Sequence, residues 1–169
     1  MKLKLLATII LLVMFISCNG QQSSPWEKWG WLIGEWKGEG SGQTGQGGGT
    51  FSFAYDLDQK ILVRKSHSEY PAVENKPLIV HDDLMIVYPD YSGNPSKAIY
   101  FDNEGHTIHY TISYAADSIV MNSERIPGVP IFRLTYVYLD DTTAKTVFDI
   151  STDGENFKTY IEGKSIRMK

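Results

Sequence analysis

The side chains able to do chemistry are few and widely spaced. Four histidines are present, His67, His81, His106 and His109. The densest grouping of metal-ligand types is His81-Asp82-Asp83. Neighbours in a strand point to opposite faces, so at most two of these three could share an ion. The group reads as a solvated strand start, and no metal is expected. Acid–base catalysis needs titratable groups brought together in a cleft. Glu69, Asp102, Asp149 and Glu162 fall in strand-like segments whose mutual placement stays open at this stage. Neither a Gly-x-Ser-x-Gly elbow nor a His-Glu-x-x-His pair occurs in the sequence. No catalytic residue is assigned, no cofactor is expected, and the chain is not expected to be an enzyme. What remains is the chemistry of binding. Ile108, Tyr110 and Ile112 alternate onto one face of a segment whose other face carries Thr107, His109 and Thr111. Arg133 stands close to Tyr136 and Tyr138. Arg133 and Tyr136 have opposite parity, however, and would face opposite ways in a regular strand; Arg64 and His67 share this mismatch. If Phe132, Leu134, Tyr136 and Tyr138 face inward, Arg133 is an exterior cation. If the other face is inward, Arg133 is a buried charge that needs an anion.

The lone cysteine has a different assignment. Met1 to Ser17 carries Lys2 and Lys4, then an apolar run from Leu5 to Ile16. That run is too short to span a bilayer, which takes about 20 apolar residues, and it fits a secretory signal peptide over residues 1–17. Phe15-Ile16-Ser17-Cys18 resembles a bacterial lipobox, with Phe15 a less usual residue at its position. Lipidation of Cys18 through a thioether would make it the new N-terminus. Multiple acyl chains hold a protein firmly to a membrane. The uncharged stretch Asn19 to Ser24 would serve as a tether, giving an 18–24 linker and a single domain over 25–169. With Cys18 committed to lipid, a cysteine nucleophile is excluded.

The elements that must position the binding residues are strands. Ser24-Pro25-Trp26-Glu27 predicts a short helix running to about Leu32, with Trp26, Trp29 and Leu32 or Ile33 on one face. From Glu35 onward the periodicity is that of β-structure. The expected strands are Glu35–Gly42, Thr50–Asp56, Lys60–Tyr70, His81–Pro89, Lys97–Asp102, His106–Tyr114, Ser118–Glu124, Ile131–Leu139, Lys145–Ser151 and Asn156–Met168. Asn103-Glu104-Gly105 and Asp153-Gly154 mark hairpins. No connection is long enough for a crossover helix, so the pairing is an antiparallel meander. About ten strands with two edges to hide predict closure into a barrel, with a two-sheet sandwich as the alternative. Aromatic residues at 12% and charged residues at 21% exclude a disordered chain. The net charge of −4, which still counts the two leader lysines, argues against a nucleic-acid partner.

Trp31-Leu32-Ile33-Gly34-Glu35-Trp36-Lys37-Gly38-Glu39-Gly40 resembles the opening of calycin-type barrels, the superfamily of lipocalins and fatty-acid-binding proteins. It is similar above all to nitrobindin-like proteins and their lipocalin-like bacterial relatives of unknown function. Phe101-Asp102-Asn103-Glu104-Gly105 stands where those relatives carry a mid-chain hairpin. The resemblance implies a barrel with its helix plugging one end, and Trp36 across the closed end under a cation from the last strand, Arg167. It implies a ligand carboxylate held by arginine and tyrosine from late strands, where Arg133, Tyr136 and Tyr138 stand. Nitrobindin-like proteins bind haem through a histidine near the C-terminus. The last histidine here is His109, so haem is not expected.

The expected function is therefore non-catalytic binding of a small hydrophobic or amphipathic ligand by a membrane-anchored lipoprotein of the bacterial cell envelope. The anchor would sit most naturally in the outer membrane, with the domain on its periplasmic or outer surface. The candidate lining is Ile108, Tyr110, Ile112, Arg133, Tyr136 and Tyr138. The alternative is a filled barrel acting as a structural or interaction module. Gly38 to Gly49, with seven glycines in twelve residues, is either a flap over the mouth or a floppy hairpin.

Overall fold

Runs of alternating side chains, each ended by turn residues, give ten strands in the computed structural model, which describes residues 24–40, 48–70, 72 and 78–169. The expected signal peptide, Cys18, most of the expected tether and the centre of the glycine-rich segment lie outside the described residues. The strands are β1 (Gly34–Gly38), β2 (Thr50–Asp56), β3 (Ile61–Tyr70), β4 (Ile79–Tyr88) and β5 (Lys97–Asp102). They continue as β6 (Thr107–Tyr114), β7 (Ser118–Ser123), β8 (Ile131–Asp140), β9 (Thr143–Ser151) and β10 (Lys158–Arg167). Each pairs antiparallel with the next, and β10 returns to β1, so the sheet is a closed barrel with no free edge. The sandwich alternative is excluded.

The turns are built from the residues that mark them in the sequence. Asp102 Oδ1 accepts the backbone N–H groups of Glu104 and His106, and Gly105 takes φ of 93°. Asp153 does the same for Glu155 and Asn156, beside Gly154 at φ of 80°.

The N-terminal helix differs from expectation. It is a 3-10 helix, Glu27–Leu32, with Trp26 at its N-cap and no side-chain cap. Ser24 instead accepts the Trp26 N–H on its hydroxyl and the Glu27 N–H on its carbonyl. The tighter coil puts residues three apart in line. Trp26, Trp29 and Leu32 therefore form one stripe, and all three are buried.

This stripe closes one end of the barrel. Trp26 Nε1 donates to the Gln59 carbonyl in the β2–β3 turn, and Trp29 Nε1 donates to Tyr114 Oη at 2.8 Å. Trp36 Nε1 donates to the Leu32 carbonyl, and Arg167 lies 4.3 Å above the Trp36 ring. Arg167 also donates to the carbonyls of Trp31, Ile33 and Asp141. The Gly-x-Trp motif now has a physical reason. Gly34 sits at φ of 121°, and a Cβ there would stand 3.0 Å from the Arg167 guanidinium.

Candidate functional site

Strand pairing passes the inward direction from one strand to the next. Ile108 lies opposite Tyr100, Tyr100 opposite Met85, Met85 opposite Arg64, and Arg64 opposite Phe53. These side chains face the barrel interior. So do Met121, Leu134 and Phe148 in their rows.

Burial along the inward faces is graded. On β3, Leu62 and Arg64 are buried, whereas Ser66, Ser68 and Tyr70 are half-buried. On β6, Tyr110 and Ile112 are buried and Ile108 is half-buried. On β8, Leu134 and Tyr136 are buried and Phe132 is half-buried. On β4, Met85 and Val87 are buried and His81 is half-buried. These half-buried residues lie at the end away from the 3-10 helix; at the helix end Tyr55, Tyr114 and Tyr138 are also half-buried, each with its ring against a tryptophan of the plug. The interior is thus packed at the helix end and open as a cup at the other.

The cup has two unlike walls. One is aromatic: Phe132 and Phe148 stack with centroids 5.8 Å apart and 12° between planes, and Tyr160 meets Phe148 edge-on. The other is polar. His81 Nε2 lies 3.0 Å from Tyr100 Oη, its Nδ1 lies 3.0 Å from Glu104 Oε1, and the Tyr100 hydroxyl donates to Asp102 Oδ2 at 3.2 Å. His106 Nδ1 stands 2.9 Å from the same Asp102 oxygen. Burial opposes the charge on Asp102, but the His106 and Glu104 N–H groups and the His106 ring hold its carboxyl below the usual range.

Between the cup and the packed end lies a polar floor. Arg64 pairs with Asp83, their side chains 10% and 6% exposed. Burial works against the Arg64 charge, while Tyr136, Asp83, Tyr100 and Tyr110 around it restore that charge. The tyrosines answer in kind: burial pushes Tyr136 up to about 12 and Tyr100 and Tyr110 higher still. Among the described residues, three buried polar atoms in this layer, Arg64 Nε, Tyr136 Oη and Thr146 Oγ1, lack a partner in good hydrogen-bond geometry, although the Tyr136 hydroxyl lies beside the Arg64 guanidinium.

The residues expected from the sequence scatter over this plan. Ile108 lines the cup, Tyr110 belongs to the floor, and Ile112 is in the packed end. Tyr136 is fully buried beneath the cup. Tyr138 is at the helix end, its ring 5.5 Å from Trp31 and its hydroxyl donating to Asp141 at 2.8 Å. Arg133 faces outward, the first of the two possibilities left open. It donates from Nε and Nη2 to Asp149 at 3.1 and 3.0 Å and lies 3.8 Å over the Phe157 ring. It therefore cannot hold a ligand inside the barrel, because its strand parity turns it away. Of the strand carboxylates, Glu69 faces outward beside His67, Asp149 faces Arg133, and Glu162 pairs with Lys145 at 2.6 Å. Of the four weighed as acid–base candidates, Glu69, Asp102, Asp149 and Glu162, Asp102 alone turns inward. His81 and Asp83 share the inner face, 3.8 Å apart, and Asp82 faces out beside His67.

Arg64, Asp83, Tyr100 and Phe148 are the residues the sequence reading missed. The Asp102–Gly105 hairpin was the available signal. It fixes Tyr100 opposite Ile108, and that register propagates inwardness to Met85 and Arg64.

A shallow groove of about 650 Å³ crosses the outside of β1 to β5, lined by Glu35, Ser52, Lys65, Leu84 and Phe101. These five form one outward register row, and the lining also includes Phe51, Ser66, Asp83 and Asp102, which have the parity of the inner face. Among the described residues, no helix is long and apolar enough to cross a membrane, and no group of three metal-ligand side chains gathers. No protein-family model matches the chain, and a search of curated proteins finds no match.

Proposed function

We propose that this protein is a non-catalytic binding protein that takes a small amphipathic molecule into the open half of its barrel. The observation that carries this reading is the graded burial of the inward-facing residues. Ser66, Ile108, Phe132 and Phe148, on four different strands, stay partly exposed although each faces the interior. The aromatic wall would shelter the apolar part of a ligand, and the tyrosine-rich wall would orient its polar part. The carboxylates near the cup are already engaged, Asp83 by Arg64 and Asp102 by four donors or ring contacts, which supports binding rather than proton transfer.

In the same reading the chain is a lipoprotein anchored through Cys18 in the cell envelope, and its barrel is calycin-like. The Arg167 contact over Trp36 and the helix across one end support that kinship. A filled barrel serving as an interaction module is the second reading. It is favoured by the solid packing of Trp29, Trp36, Phe53 and Tyr136 in the lower half.

Native mass spectrometry of the gently purified protein separates the two. The binding reading expects an added mass that organic extraction removes. A bare mass, together with no response to a hydrophobic fluorescent probe, would favour the filled barrel.

A further inference from the structure

We infer that the cup takes a facially amphipathic ring compound, apolar on one side and hydroxylated on the other, and not a head-and-tail amphiphile; this rests on the binding reading above. The inference comes from where the two unlike walls stand. The aromatic wall belongs to β8, β9 and β10. The polar wall belongs to β3, β4, β5 and the turn after β5. Around the closed sheet, β4 and β9 are five strands apart in either direction. The walls therefore face each other across the opening.

Both walls belong to the mouth half. Phe132 and Phe148 lie nearer the mouth than the buried Leu134 and Ala144 of their strands. Ser66 and His81 lie nearer the mouth than the buried Arg64 and Met85 of theirs. All four keep accessible surface, and 25% of the His81 side chain is exposed. Ile108, opposite Tyr100, marks where the polar wall ends. Polarity thus divides the cup from side to side and not from top to bottom. A molecule with a polar head and an apolar tail divides along its length instead. Its tail, lowered into the cup, would lie along the polar wall and strip water from it without replacing the hydrogen bonds. A ring with unlike faces meets both walls at once, its apolar face on the phenyl rings.

The polar wall also sets the sense of those hydrogen bonds. Glu104 meets His81 through Oε1, and a carboxylate accepts on both of its oxygens. The Ser68 hydroxyl donates to the Gly48 carbonyl and keeps a lone pair for a donor. The Tyr100 proton goes to Asp102. These three side chains offer acceptors, so the polar side of the ligand must donate, as hydroxyls do.

The test keeps the carbon count and changes the shape. Isothermal titration calorimetry of the purified protein at neutral pH compares three uncharged probes of ten carbons. These are cis-pinanediol, a rigid cage with two hydroxyls on one side; isopinocampheol, the same cage with a single hydroxyl; and the linear decanediol with both hydroxyls at one end. The caged diol is expected to bind about tenfold tighter than the linear diol and about fivefold tighter than the caged alcohol. His81→Leu makes the polar wall apolar and should reverse the preference between the two diols. Ser66→Ala, at a small side chain, should weaken the caged diol about threefold and leave the linear one unchanged. It keeps the test standing if the thermal midpoint shows that His81→Leu does not fold. A linear diol that binds as tightly as the caged one overturns the facial assignment and leaves the binding reading intact. A preference that survives in both folded variants overturns the role given to the polar wall. Failure of all three probes to bind overturns the binding reading and this inference with it.

Discussion

The two ends of this barrel are made from the same ten strands and solve opposite problems. At the helix end, Trp29, Trp36, Leu62, Val87 and Ile119 leave almost no accessible surface, and indole N–H groups find carbonyl or hydroxyl partners. At the far end, inward residues on the same strands keep part of their surface, and serines, histidines and tyrosines replace the aliphatic side chains. Under the proposed binding function, stability and recognition would be assigned to different halves. A substitution at the mouth would then alter what enters without unfolding the molecule, because most of the apolar burial that holds the barrel together lies elsewhere.

Three comparisons, two between paired substitutions and one by titration, probe that division. The largest effect is expected from Trp29→Ala, which empties the centre of the plug and should cost about 4 kcal/mol, whereas Ile108→Ala at the cup should cost about 1 kcal/mol. Chemical denaturation of both variants reads the difference, and equal losses would erase the distinction between the halves. Next comes the floor. Arg64→Leu leaves Asp83 buried without its cation and should cost about 3 kcal/mol. Lys145→Ala, which breaks the partly exposed pair with Glu162, should cost under about 1 kcal/mol. If the two variants melt together, the floor is not the buried ionic layer described above.

The smallest effect at neutral pH is carried by the phenols. Tyr100, Tyr110 and Tyr136 are held neutral chiefly by burial, with Tyr136 pushed up to about 12. A pKa raised in the folded state means stability that is fully present below the unfolded value, about 10, and lost as pH climbs through the folded value. In an ultraviolet titration these three should stay silent above that unfolded value until the barrel opens. Smooth ionisation of every tyrosine in the folded protein would show the interior to be wetter than its packing implies.

Much of the fold was legible because turn chemistry and alternation agree. Asp102 with Gly105, and Asp153 with Gly154, stand at the corners where the strands reverse. The Ile108, Tyr110, Ile112 stripe faces inward as its period requires. The helix type escaped because an α-helix and a 3-10 helix share the spacing of Trp26 and Trp29, and only packing selects the tighter coil. The site was legible in part. Arg64 was weighed only beside His67, Asp83 read as part of a solvated strand start, and nothing local reveals that the two meet across adjacent strands. Arg133 was ambiguous for a related reason, since its cover, Phe157, comes from a loop twenty-four residues downstream. The difference between packed and open ends was not legible, because alternation is the same at both ends of a strand.

The plug also has an orientation. Ser24 enters at the helix end, opposite the mouth. An attachment upstream of Ser24, such as an acyl group on Cys18, would draw that end toward the surface it grips and aim the opening at the surrounding fluid. Cargo would then arrive from solution or from a facing partner. Such a molecule would be a receiver standing on its membrane with its back to it, and not a scoop drawing lipid from the bilayer beneath.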